Sequence, residues 1–159
     1  MRVGVLSDTH GYIDPKIFDL LKGVERILHA GDITTNDVID ELSAIAPVIA
    51  VHGNMDYPEI VSRHEEDLRI SLAGADIFMT HNGGMLLRSP SIFEKRVGPK
   101  RPDVFIWGHT HRPENKMIGD MLSLNPGAAC KPRGEHPATV AILTLEPGKK
   151  PQAEILSLE

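Results

Sequence analysis

Short apolar runs alternate with polar, glycine-bearing turns along the first third of the chain. Residues 2–6, Arg-Val-Gly-Val-Leu, predict a strand that opens directly into Ser7-Asp8-Thr9-His10-Gly11. Asp14-Pro15 then predicts a helix start, because Asp caps free amides and Pro fits the first turn. Ile17, Leu20, Leu21 and Val24 line one face of that helix, and Gly23 marks its end. A second strand, Arg26 to Ala30, closes at Gly31-Asp32. Thr34 or Thr35 caps the next helix, where Val38, Ile39, Leu42 and Ile45 recur at helical spacing before Pro47. Val48 to Val51 is a third apolar strand, ending at His52-Gly53-Asn54.

This strand–helix–strand–helix–strand order predicts a parallel sheet with crossover helices. The carboxyl ends of parallel strands share one edge, where ligands bind. The polar signatures at 7–11, 31–32 and 52–56 are therefore expected to meet in space. The second half reads differently. Asp67–Leu72 and Ala75–Thr80 flank Gly74 as a hairpin, followed by Thr80-His81-Asn82-Gly83-Gly84. A short helix is predicted over Pro90–Val97. Val104 to Trp107 is a buried strand running into Gly108-His109-Thr110-His111. Met117-Ile118 and Met121–Leu124 flank a turn at Gly119-Asp120, and Asn125-Pro126-Gly127 is another turn. Residues 138–145 and 153–158 predict a terminal antiparallel pair.

Composition changes this picture little. A chain of 159 residues suggests one domain with a real core, and 41% hydrophobic with 25% charged residues is ordinary soluble composition. A net charge of -5 argues against long nucleic acid or an anionic membrane as the resting partner, so any phosphate must be neutralised locally. Cys130 is the only cysteine, which excludes an intrachain disulfide and suits a reducing compartment. The apolar run at the start is too short for a signal peptide, and no run approaches the roughly 18 apolar residues of a membrane span. A cytoplasmic location is the expectation.

The chemistry lies in where the ligand-type residues fall. Asp8 and His10, Asp32, Asn54 and Asp56, His81, and His109 and His111 each follow a strand, with glycine nearby. Taken singly, Asp-x-His, Gly-Asp or Gly-Asn-Met-Asp reads as a polar turn or cap. Taken together, in this order, they read as one site. Mixed carboxylate and imidazole donors suit first-row divalent metals rather than calcium. A carboxylate such as Asp32 can bridge two ions, and two ions about 3.5–4 Å apart can clamp a phosphoryl group. His29 beside a strand reads as hydrogen-bonded to backbone, His52 as buried or supporting the site, and His64 as solvated. His136 falls in a turn-rich segment, and Cys130 reads as an ordinary small residue.

At Ser-Asp-Thr-His-Gly (7–11), Gly-Asp (31–32), Gly-Asn-Met-Asp (53–56), Thr-His (80–81) and Gly-His-Thr-His (108–111), the chain resembles the calcineurin-like metallophosphoesterases. Asn-Pro-Gly at 125–127 and the small size resemble their short bacterial and archaeal phosphodiesterase branch. The resemblance implies a single such domain over residues 1–159, an α/β fold with a two-sheet β-sandwich flanked by helices. It implies one ion held by Asp8, His10, Asp32 and His111, and another by Asp32, Asn54, His81 and His109. Asp56 would orient the site without binding metal. Asp8, His10, Asp32, Asn54 and His81 form the implied catalytic set. The ions would be manganese or nickel, with iron or zinc as alternatives. The implied reaction is hydrolysis of a small phosphate ester, a phosphodiester, by attack of metal-bound hydroxide.

Two departures from the family pattern matter. Met55 stands where many members carry a histidine that assists the leaving group, and a thioether has no proton to donate. Asn82-Gly83-Gly84 follows His81 where relatives often have Gly-His. Arg88, Lys131 and Arg133 are cationic residues whose direction the sequence leaves open. Family similarity suggests a homodimer or homotetramer. The alternative is a protein-interaction scaffold on the same fold, as in a subunit of an endosomal sorting coat.

Overall fold

A computed structural model describes residues 1–130 and 136–159, so Lys131 and Arg133 lie outside the described residues. In chain order the elements are β1 (Arg2–Leu6), α1 (Lys16–Leu20), β2 (Arg26–His29), α2 (Asn36–Ser43), β3 (Val48–Ala50), α3 (Pro58–Arg63), β4 (Asp67–Leu72) and β5 (Ala75–Thr80). They continue with α4 (Gly83–Leu87), α5 (Pro90–Val97), β6 (Val104–Ile106), β7 (Glu114–Ile118), β8 (Met121–Asn125), β9 (Thr139–Thr144) and β10 (Gln152–Ser157).

The strands form two mixed sheets of five, ordered β10-β9-β1-β2-β3 and β4-β5-β6-β8-β7. In the first, β1, β2 and β3 are parallel, and β9 and β10 extend the sheet antiparallel. In the second, β5, β6 and β8 are parallel, with β4 and β7 antiparallel at the edges. The expected parallel sheet and the expected hairpins are therefore both present, in a sandwich flanked by helices.

Side-chain alternation along the strands builds the layers. Val3, Val5 and Leu28 of the first sheet pack with Ile77, Met79, Val104, Ile106, Leu122 and Leu124 of the second. Leu6 and Ile27 belong instead to a cluster with Ile17, Val38, Leu42 and Ile60 of α1, α2 and α3. On the far side, Phe78 and Phe105 of the second sheet pack with Leu86, Phe93 and Val97 of α4 and α5. Among the described residues no helix is long and apolar enough to cross a membrane.

The glycine pair after His81 forms the start of a helix. A Cβ on Gly83 would sit 2.4 Å from Trp107 Cβ, so glycine there lets α4 lie against the β6 end. His64, expected to be solvated, is half-buried, and burial pushes its pKa down despite the nearby Asp56 charge.

Arg69 joins the second sheet to α5. Its Nε and Nη2 donate to the two oxygens of Asp76 at 2.9 and 2.6 Å, and Nη1 donates to the Val97 carbonyl at 2.7 Å. The hydrogen bond from Arg69 holds the Asp76 carboxyl below its usual range. Arg69→Met is expected to cost about 1–2 kcal/mol, allowing for solvent screening of this partly exposed pair. The pair's contribution is present above the unfolded-state pKa of Asp76 and is lost as pH falls through the lowered folded value. Urea unfolding at neutral and acidic pH should show the two proteins converging in acid.

Candidate metal centre

β1, β2 and β3 end on one edge of the first sheet, and β5 and β6 end on one edge of the second. The segments after these strands carry Asp8 and His10, Asp32, Asn54, His81, and His109 and His111. Hydrogen bonds sew the two edges together. His81 Nδ1 lies 2.7 Å from the Ala30 carbonyl, Gly108 N donates to the His81 carbonyl at 2.9 Å, and His109 N donates to Asp8 Oδ2 at 3.1 Å.

Several of these residues adopt a backbone conformation that L-residues avoid. Asp8 (φ 55°), His10 (φ 48°), Asp32 (φ 55°), His109 (φ 71°) and His111 (φ 60°) all lie in the left-handed region. Such a conformation costs roughly 1–3 kcal/mol per residue and persists only where the surroundings hold it. Here Asp8 N and His10 N donate to the carbonyls of Gly31 and Asp32, each at 3.0 Å. The close approach also needs Gly53, where a Cβ would fall 2.2 Å from Asp32 Oδ1.

Each carboxylate has one oxygen held by the protein and one presented to the imidazoles. Asp8 Oδ2 accepts from Ser7 Oγ at 2.6 Å and from His109 N at 3.1 Å. Its Oδ1 lies 3.2 Å from His111 Nε2 and 3.9 Å from both His10 Nε2 and His81 Nε2. Asp32 Oδ1 accepts from Met55 N at 2.8 Å, while Oδ2 lies 3.2 Å from His81 Nε2 and 4.0 Å from His10 Nε2. Because the Ala30 carbonyl can only accept, His81 Nδ1 carries a hydrogen there, and neutral His81 presents a lone pair at Nε2.

Two groups of side chains are therefore able to hold a metal ion: Asp8 with His10 and His111, and Asp8 with Asp32 and His81. Among the described residues Asp8 Oδ1 and His81 Nε2 are buried at this centre without a hydrogen-bond partner, as is His111 Nδ1 on the side of its ring away from Asp8. A buried polar atom left unpaired is costly and calls for a missing partner. Donors at about 2.1 Å from one ion lie about 3–3.5 Å from each other, as Asp8 Oδ1 and His111 Nε2, and Asp32 Oδ2 and His81 Nε2, do at 3.2 Å. Donor type, spacing and orphaned atoms all fit divalent cations.

Electrostatics agree. Burial alone would raise Asp8 and Asp32. Contact with His111, in Asp8, and with His81, in Asp32, outweighs it and holds both carboxyls below their usual range. Burial alone would lower His81, but Asp32 and then Asp8 hold it above its usual range. The cluster of carboxylates thus attracts positive charge, which a bound cation supplies when the imidazoles are neutral.

The residues that support this arrangement work mainly through the backbone. Asp56, expected to orient the site without binding metal, accepts from three amides, with Asp32 N and Gly53 N on Oδ2 (3.1 and 2.6 Å) and Thr34 N on Oδ1 (2.6 Å). His29, fully buried, accepts from Gly31 N at Nδ1 and lies 3.0 Å from Thr9 Oγ1 at Nε2. Burial pushes its pKa down to about 3, so it is a neutral strut between two of the loops. Asn125 donates to the Gly108 carbonyl and to Thr110 Oγ1, bracing the loop that carries His109 and His111. The Asn-Pro-Gly turn is evident in the sequence, but this bracing role is not.

Asn54 and His109 sit outside the two groups, exposed at the rim, with His109 Nδ1 3.0 Å from Asn54 Oδ1. The His109 ring stands edge-on to His81, centroids 5.2 Å apart. Met55 contributes its amide to Asp32, and its side chain points to solvent. A cleft of about 300 Å³ opens beside the centre, lined by Asn54 and His81 together with Met85, Leu86 and Ile92. His52 and Asn82 also line it; Arg88 is exposed elsewhere, and the cleft's arginine is Arg96.

The family model of the calcineurin-like phosphoesterase superfamily domain matches residues 1–148. A probable metallophosphoesterase of Methanothermobacter thermautotrophicus is 36% identical, over 98% of this chain and 92% of the relative. A phosphodiesterase of Methanocaldococcus jannaschii is 30% identical, over 98% of this chain and 99% of the relative. Among solved structures, a novel archaeal phosphodiesterase superposes with a TM-score of 0.75 at 27% identity, covering 98% of this chain and 100% of the other. The zinc complex of Vps29 from Entamoeba histolytica shares the fold, with a TM-score of 0.76 at 22% identity and full coverage of both chains. The chain belongs to the calcineurin-like phosphoesterase superfamily and is related to its short bacterial and archaeal phosphodiesterases.

Proposed function

We propose that this chain, acting as one domain over residues 1–159, is a two-metal-dependent phosphodiesterase. Asp8, His10, Asp32 and His111 would hold one divalent ion, and Asp32, Asn54, His81 and His109 the other. The observation that carries the reading is the pair of carboxylate–imidazole groups that share Asp8, with Asp8 Oδ1 and His81 Nε2 buried at the centre and without a hydrogen-bond partner among the described residues. Manganese or nickel suits the mixed oxygen and nitrogen donors, as iron or zinc does.

Two bound ions supply Lewis-acid stabilisation of phosphoryl oxygens and the means of activating water. The protein's own part is positional. Ser7 and the His109 amide fix Asp8, and the Met55 amide fixes Asp32, so each carboxylate keeps one oxygen turned inward. Ala30 fixes the ring of His81. Asn54 and His109, exposed at the rim, would hold the second ion where an incoming phosphoryl group can reach it. Met55 has no proton to give a leaving group, which favours esters whose leaving group is already stabilised, such as aryl diesters. The small cleft and the absence of a surplus of positive charge favour a small phosphate ester over long nucleic acid. The gathering of Asp8, His10, Asp32, His81 and His111 supports catalysis over the scaffold reading.

The test is hydrolysis of bis-p-nitrophenyl phosphate beside p-nitrophenyl phosphate, after stripping metal and adding back manganese, nickel, zinc or magnesium singly. Metal-dependent cleavage of the diester, at least tenfold above the monoester, is expected. No turnover with any metal at confirmed two-ion occupancy would overturn the reading.

A further inference from the structure

The cleft beside the centre has a composition of its own. Met85 and Ile92, which line it, are 62% and 51% exposed, and Leu86 lines it between them in sequence. Exposed apolar side chains beside a charged centre gain by being covered. At about 300 Å³ the cleft holds a single ring system rather than a long chain of linked groups.

Its charge is equally selective. Arg96 is the only arginine or lysine among the lining residues. That guanidinium is already committed: Nε donates to Asp67 Oδ2 at 2.6 Å, and Nη2 donates to Asp67 Oδ1 at 2.9 Å and to Glu66 Oε1 at 2.6 Å. Two carboxylates thus face one cation, and Glu66 itself lines the cleft. Beyond the ions proposed at the centre itself, an anionic substituent entering here meets, from lysine or arginine, only a guanidinium already paired with carboxylates. A neutral one meets Asn82, whose Nδ2 is turned on Met85 Sδ at 3.3 Å. Thioether sulfur is a weak acceptor, so that amide is readily exchanged for a better one.

We infer that this cleft seats one organic substituent of the phosphodiester, and that it selects an uncharged aromatic or heteroaromatic group over a charged one. The inference rests on the phosphodiesterase reading of the neighbouring centre and adds the class of substituent. Its basis is the juxtaposition of Met85, Leu86 and Ile92 with Asn54 and His81, and an arginine neutralised by two carboxylates.

Non-hydrolysable phosphonates test it by binding. Titration calorimetry on the manganese-loaded protein would compare phenylphosphonate, methylphosphonate and 4-carboxyphenylphosphonate. Phenylphosphonate should bind about tenfold tighter than methylphosphonate, and tighter than the carboxylated ring. Ile92→Ser and Met85→Ala, both at exposed positions, should each cut the phenyl preference to about threefold or less while leaving methylphosphonate affinity unchanged. In turnover, the same variants should raise KM for bis-p-nitrophenyl phosphate with little change in kcat. Equal affinities for the phenyl and methyl compounds, a preference for the carboxylated ring, or a phenyl preference that survives both substitutions would each overturn the inference while diester cleavage stands. Loss of diester cleavage in the loaded wild-type protein would overturn the phosphodiesterase reading and this inference together.

Discussion

Asp32→Asn is expected to abolish binding of both ions, whereas His111→Ala should lose only one. The difference follows from which atoms face the centre. Asp32 Oδ2 lies 3.2 Å from His81 Nε2 and 4.0 Å from His10 Nε2, so under the proposed assignment this oxygen would be shared between the ions, beside Asp8 Oδ1, which belongs to both groups. The other oxygen is taken by the Met55 amide at 2.8 Å. In the variant, that amide selects the carbonyl end of the Asn side chain and turns the NH2 group toward the imidazoles. A donor then stands where an ion needs an acceptor, and the central negative charge is gone. Turnover should fall by more than the roughly 10–100-fold that loss of a group supporting a ligand costs. His111 belongs only to the group with His10, 3.2 Å from Asp8 Oδ1 and 3.3 Å from His10 Nε2. Elemental analysis of the dialysed, manganese-equilibrated proteins gives the count directly. Retention of both ions by Asp32→Asn would remove Asp32 from its central place.

Much of this site was legible in the sequence, because ligand-type residues recur after strands and parallel strands end on one edge. Asp8, His10 and Asp32 do gather there, as the order of the first strands predicts, and His81 and His111 join them from the second sheet, which only the joint pattern and the family resemblance had implied. Helices α1, α2 and α5 were legible because Ile17, Val38 and Phe93 recur in amphipathic settings. Helix α3 was missed because a single side chain, Ile60, is buried in it. Helix α4 was missed because Gly83-Gly84 reads as a turn until Trp107 is seen beside it. The first three residues of β7, Glu114-Asn115-Lys116, gave no alternation to read, since none of them is buried.

What pattern reading could not supply was the way polar groups are shared at the edge. Nothing local distinguishes the left-handed backbone of Asp8, His10, Asp32, His109 and His111 from an ordinary loop. That conformation is imposed by contacts from strands far apart in sequence. The same holds for Arg96, whose ion pairs with Glu66 and Asp67 join α5 to a segment far from it in sequence.

Asp56 shows how far such contacts reach, and Asp56→Asn should reveal it. The carboxylate accepts from Asp32 N, Thr34 N and Gly53 N, joining the loop after β2 to the loop after β3. An Asn side chain has one acceptor oxygen, so its NH2 must face at least one amide donor. That leaves a backbone N–H unpaired and sets two donors against each other. The expected cost is about 2–3 kcal/mol, read from urea unfolding of the metal-free proteins. Metal affinity should fall about 10–100-fold in the same variant, because Asp32 and Gly53 lose their placement although no donor atom has been removed. Asp56→Glu keeps both oxygens but adds a methylene, and should recover neither property fully, since the short contacts of 2.6 Å to Thr34 N and Gly53 N fix the reach of the side chain. If Asp56→Asn were destabilised yet bound manganese with wild-type affinity, Asp56 would be a loop fastener alone, and the geometry of the centre would rest on Ser7 and the backbone of Ala30 and His109.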